Sequence, residues 1–71
     1  MAKLTGDREF GRRLERMLDR RELTQKELAN EICVGENQVC HWIAGRYGIT
    51  LHNLRLVKRA LRCSWEDLLG L

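Results

Sequence analysis

The stretch LTQKELANEICVGEN, residues 23 to 37, starts a helix and breaks it again within a few turns, and this constrains the fold more than any other part of the chain. Thr24 is placed to cap a helix, Glu27 three residues on closes a capping box, and Leu23 and Leu28 have the spacing of a hydrophobic staple. Leu28, Ala29 and Ile32 then fall on one face, but CVGEN offers a break and a fresh start at Gly35. A further helix over about 36–43 puts Val39 and Trp42 on its buried side, with Val34 and Val39 as a second staple. The pattern predicts two short helices around a tight turn.

The rest of the chain reads the same way. Phe10, Leu14, Met17 and Leu18 lie at i, i+4, i+7 and i+8, which predicts a helix over about 7–20 with arginines and acids on its other face. In AGRYGIT, Gly45 suits a left-handed C-cap, Gly48 a turn, and Thr50 the cap of a helix over about 51–61 whose inner stripe is Leu51, Leu54, Val57 and Leu61. In SWEDLLGL, Ser64 caps and Asp67 sits three residues later, opening a final short helix with Trp65 and Leu68 directed back to the core. There is no proline, no strand-like alternation, no linker and no internal repeat. The expectation is an all-α, compact five-helix domain over 1–71, with its core in 7–69 and a helix-turn-helix over about 24–43.

With 71 residues, the domain buries only about 60% of the surface its unfolded chain exposes, which leaves little room for an enclosed active site. No long apolar run suggests a membrane span, and MAKLTGDREF lacks the apolar core of a secretory signal, so a cytoplasmic protein is expected. Its three cysteines, an odd number, are then expected to stay reduced. The net charge of +3 is modest, but residues 46–62 contain Arg46, Arg55, Lys58, Arg59 and Arg62 and no acid. Such a segment fits a polyanion partner or a solvated helix face.

The features quoted above, together with FGRRL in the first helix and TLHNL opening the fourth, run without a gap from Phe10 to Leu69. In that order and register they resemble the phage repressor and Cro-like helix-turn-helix family, also called the xenobiotic-response-element type. The resemblance implies a lambda-repressor-like DNA-binding fold in which the third helix enters the major groove and the second crosses the backbone. It implies base contacts from Gly35, Glu36, Asn37, Cys40 and His41, with Gln38 a smaller candidate better suited to capping. Chemically, Asn37 can pair with adenine, Glu36 can accept from the cytosine amino group and His41 can donate to guanine. Backbone contacts are expected from Thr24 and Gln25, at a helix start where free amides favour phosphate, and from Arg46 and Tyr47 in the loop after helix three. Trp65, Leu69 and Leu71 form a candidate dimer surface.

Departures from the family pattern carry their own expectations. Cys33 and Arg62 stand where relatives often have glycine, so strain is expected at Cys33. Leu18 and Ile43 replace a partly buried ion pair and are expected to touch, a swap that can be neutral or stabilising when both ends change. Glu36 replaces a more usual polar or basic residue. No metal or other cofactor is expected, because Cys33, Cys40 and His41, in a C-x6-C-H spacing, match no zinc pattern and the adjacent pair Cys40 and His41 point about 100° apart on a helix. No nucleophile paired with a base points to an enzyme. The functional expectation is a small transcriptional regulator, a repressor binding a near-palindromic double-stranded operator as a homodimer. The alternative is a protein-interaction module, such as an antitoxin or accessory subunit gripping a partner protein.

Overall fold

The computed structural model describes residues 8–46 and 48–70, so Tyr47, Leu71 and the start expected for the first helix at residue 7 lie outside the described residues. The described residues form α1 (Arg8–Arg21), α2 (Gln25–Glu31), α3 (Glu36–Ala44), α4 (Leu51–Leu61) and α5 (Trp65–Leu69), with no strand among them. α1 is the hub: it packs against α3, α5 and α4, while α2 rests on α3 and α4.

The starts of the helices follow from local chemistry. At α2 the Thr24 hydroxyl accepts from the Glu27 amide at 3.1 Å, and the Glu27 carboxylate accepts from the Thr24 amide at 2.8 Å, which is the expected reciprocal box. Thr50 and Ser64 accept from the amides of Asn53 and Asp67 in the same manner. α3 differs, because its N-cap is Gly35 and no side chain caps it. Gln38 therefore does not act as the expected capping residue: with no hydroxyl or carboxylate at the N-cap, the reciprocal box has no first half.

The ends of the helices share one device. Glu22, Cys33, Gly45 and Arg62, each just beyond α1 to α4, adopt left-handed backbones with φ of 55°, 60°, 74° and 52°. The next amide in each case bonds back to a carbonyl in the last turn: Leu23 to Leu18, Val34 to Ala29, Arg46 to His41 and Cys63 to Lys58. Only one of the four is glycine. A side chain in this region costs roughly 1–2 kcal/mol, so three closures in a small domain are held against strain. Cys33 thus shows the strain expected there, and Arg62 and Glu22 take the same conformation.

The core collects the predicted stripes, namely Phe10, Leu14, Met17 and Leu18 from α1, Leu28 and Ala29 with Ile32 from α2, Val39 and Trp42 from α3, and Leu54, Val57 and Leu61 from α4, except that Leu51, at the first position of α4, is half-buried and outside the cluster. Leu68 of α5 completes it, and Ile43 packs half-buried against the cluster that contains Leu18. Trp65, expected to face the core, is instead 36% exposed. It stands at the first position of α5, and Leu68 takes the inward direction one turn later. The Lys58 ammonium lies 5.3 Å from the Trp65 ring centroid, so the indole is covered by a cation rather than by the core.

Two core features come from residues distant in sequence. Ile49, in the connection before α4, is fully buried and fills space between helices. Gly11 is buried on α1 with the backbone of Ile43 against it, so close that any β-carbon there would collide with the Ile43 carbonyl. Gly11→Ala is expected to lower stability by about 1–3 kcal/mol, as overpacking against rigid backbone does. Arg62→Gly should raise it by about 1 kcal/mol by relieving the left-handed strain, and thermal unfolding followed by circular dichroism reads both changes as opposite shifts in Tm.

Candidate nucleic-acid interface

α3 is oriented by what it buries. Val39 and Trp42 are inserted into the core, which leaves Gly35, Glu36, Asn37 and Cys40 exposed, with Gln38 and His41 half-buried at the edges of that face. Glu36, Asn37, Cys40 and His41 sit at i, i+1, i+4 and i+5, so they form one outward stripe. The Nδ1 atom of His41 is shielded from solvent. Glu36 in the first turn also suits the positive end of the helix. Ala44, one turn beyond Cys40 and exposed, continues the stripe. Ala44 is absent from the sequence-based set because a small apolar residue gives no chemical signal on its own; the i+4 spacing from Cys40 is the one signal that points to it.

The flanking candidates lie on two other elements. Thr24 is exposed and Gln25 half-buried at the start of α2, and the side-chain oxygen of Thr24 is already engaged by the Glu27 amide. Arg46 is exposed just past Gly45, and its own amide donates to the His41 carbonyl at 3.0 Å, which ties the Arg46 backbone to the last turn of α3. Thus Thr24, Gln25 and Arg46 bracket α3 from the element before it and the loop after it. Of the candidate dimer residues, Trp65 is exposed and Leu69 is half-buried against the core.

The electrostatics are sparse. Arg13 with Glu9, at 2.6 Å on α1, is the one salt bridge among the described residues. The described residues contain no group of three or more histidine, cysteine or acidic side chains able to hold a metal ion, and no helix long and apolar enough to cross a membrane. The concavities among them are shallow grooves between helices rather than closed chambers.

A family model described as helix-turn-helix matches residues 14–68. The chain therefore belongs to the helix-turn-helix family of DNA-binding transcription regulators. Among solved structures, it is similar to the restriction-modification controller protein C.AhdI from Aeromonas hydrophila: identity is 24%, the TM-score is 0.81, and the match covers 86% of this chain and 92% of that one. That similarity carries the five-helix fold. No curated protein sequence matches the chain.

The three thiols divide into two environments. Cys33 and Cys40 are exposed, whereas Cys63 is half-buried, and its pKa is raised above the ordinary 9.0 first by burial and then by Asp67, against the opposing pull of Lys58. A raised thiol pKa in the folded state gives a contribution to stability that is present below pH 9.0 and is lost as pH rises through the folded value. Alkylation of the native protein near pH 8, followed by mass spectrometry, is expected to modify Cys33 and Cys40 well before Cys63.

Proposed function

We propose that the domain reads a specific double-stranded DNA sequence by laying the exposed stripe of α3 in the major groove, and that it acts as a small transcriptional repressor. The observation that carries this reading is the stripe itself: four outward positions in the first turns of α3, all polar or able to hydrogen-bond, on a helix whose opposite side is fully committed to the core. In this pose Asn37 pairs with adenine, Glu36 accepts from cytosine, and His41 donates to guanine at the edge of the stripe. The backbone of Gly35 approaches the groove at the helix start, Gln38 and Cys40 take subsidiary places, and Ala44 offers a methyl to thymine.

Positioning on the duplex falls to residues off α3. The Thr24 hydroxyl hydrogen remains available to a phosphate while its oxygen caps α2, Gln25 adds a donor next in the chain, and Arg46 and Tyr47 are assigned to the next phosphates along the strand. In this reading the protein is cytoplasmic, the domain spans the whole of 1–71, and two copies pair about a two-fold axis through the end marked by Trp65, Leu69 and Leu71. Their α3 helices then meet half-sites about one helical turn, roughly 34 Å, apart. A controller role like the one named for the Aeromonas protein suits a regulator of this kind.

Selection of bound fragments from random DNA is expected to enrich one near-palindromic motif. On that motif, replacing Asn37 and His41 together by alanine should abolish sequence preference while leaving nonspecific binding intact. Gln25→Ala or Arg46→Ala should weaken binding to all sequences alike, and Arg46→Ala, which removes a cation, should also lower the salt slope by about one, whereas Gln25→Ala should leave it unchanged. Failure to enrich any fragment, with binding insensitive to salt, would overturn the reading.

A further inference from the structure

On the far side of α2 from its phosphate-facing start, the C-terminal turn of α2 and the outer face of α4 enclose a groove of about 380 Å³ lined by Glu31, Ile32, Leu56, Arg59, Ala60 and Arg62. We propose that this groove docks an acidic, amphipathic segment of a partner protein. The proposal goes beyond the DNA-reading function and does not depend on it.

The groove combines an apolar floor with a cationic rim. Leu56 and Ala60, one turn apart on α4, are half-buried and pack against the core from below. Arg59 and Arg62 rise beside them, are exposed, and join no salt bridge among the described residues. Arg21 at the end of α1 donates to the Arg62 carbonyl at 2.9 Å, which fixes the backbone from which the Arg62 side chain extends. Two arginines, Arg59 and Arg62, thus give the groove a cationic rim with one acid, Glu31, on the facing wall.

Arg62 supplies the independent argument. It holds a left-handed backbone where glycine would be free of strain, and the chain braces it there with the bond from Arg21 and with its own amide bonded to Arg59. Glu22 and Cys33 hold the same closure without glycine, so the strain alone assigns no role; what distinguishes Arg62 is an exposed guanidinium that lines the groove. The fold does not need that side chain, since a left-handed C-cap is best made by glycine.

Charge and shape choose the occupant. A DNA backbone would present phosphate to Glu31 and to the carbonyl end of α2, both repulsive, and would leave the Leu56 and Ala60 floor uncovered. A second copy docked through this face about a two-fold axis would bring two more arginines and one more acid, so the paired grooves would keep an excess of positive charge. A helical peptide carrying carboxylates on one stripe and leucines on the next satisfies all parts: carboxylates fork onto Arg59 and Arg62, a leucine covers the floor, and a first-turn amide, which has no partner within the helix, meets Glu31.

The test uses the full chain, isotopically labelled, titrated with a short helical peptide bearing glutamates on one stripe and leucines on the adjoining one, and with a control in which glutamine replaces each glutamate. The acidic peptide should shift the amide signals of Glu31, Arg59, Ala60 and Arg62, and the control should not. Arg59→Ser and Arg62→Gly together should weaken peptide binding by about tenfold or more. Arg62→Gly alone should raise Tm while weakening the peptide, opposite signs that a purely structural arginine would not give. Affinity for the selected DNA motif should be unchanged in these variants. The proposal is overturned if the acidic peptide does not bind, if it shifts the α3 stripe instead, if the variants lose DNA affinity in step with the peptide, or if they dissociate a dimer. The DNA motif, measured in parallel, reports separately on the reading of α3.

Discussion

The orientation of α3 depends on how closely it can approach α1, and that distance is set where Gly11 meets the backbone of Ile43. Because α1 carries no side chain at this point, the last turn of α3 seats directly on it, and Val39 and Trp42 reach the middle of the core. A helix held so closely along its inner side cannot roll without opening a cavity or creating a clash. The outward stripe from Glu36 to His41 is thereby presented at a fixed angle, and the loop carrying Arg46 follows because its amide is tied to the His41 carbonyl. Preorganisation of this kind lowers the ordering cost that a reading surface incurs on binding.

A second constraint is repeated at the chain reversals. Each of α1 to α4 ends in the same left-handed closure, yet Glu22, Cys33 and Arg62 make it without glycine. The bond pattern is strong enough to impose the geometry on residues that resist it. Cys33 is the case nearest the interface: the closure formed by Val34 with Ala29 survives the missing glycine, and so the turn between α2 and α3 keeps the geometry that sets the two helices at their angle. The sulfur there is exposed and takes no structural part.

What could be read from the sequence was what is decided locally. Thr24 with Glu27, Thr50 and Ser64 announced helix starts because a cap and its amide lie three residues apart, and the apolar stripes announced which faces turn inward. The helix-turn-helix and its outward residues on α3 followed from those faces. What escaped depends on partners distant in the chain. Gly11 has the look of an ordinary helix interruption until Ile43 is placed against it, Ile49 carries no periodicity of its own, and the bond from Arg21 to the Arg62 carbonyl joins residues 41 positions apart. Trp65 misled for a related reason: an aromatic beside a capping serine looks like core, but Leu68 already fills that direction and Lys58 is close enough to cover the indole outside.

The scarcity of ion pairs has a practical side. The described fold rests on an apolar cluster and on short-range caps, with Arg13 and Glu9 its single salt bridge. Added salt screens charges across solvent but leaves buried apolar packing in place. Ionic strength therefore separates two properties that are entangled in many small basic domains: whether the chain is folded and whether it holds nucleic acid. Bound polynucleotide carried over from a cell extract can be stripped in concentrated salt and the intact domain recovered by dilution, with no refolding step between.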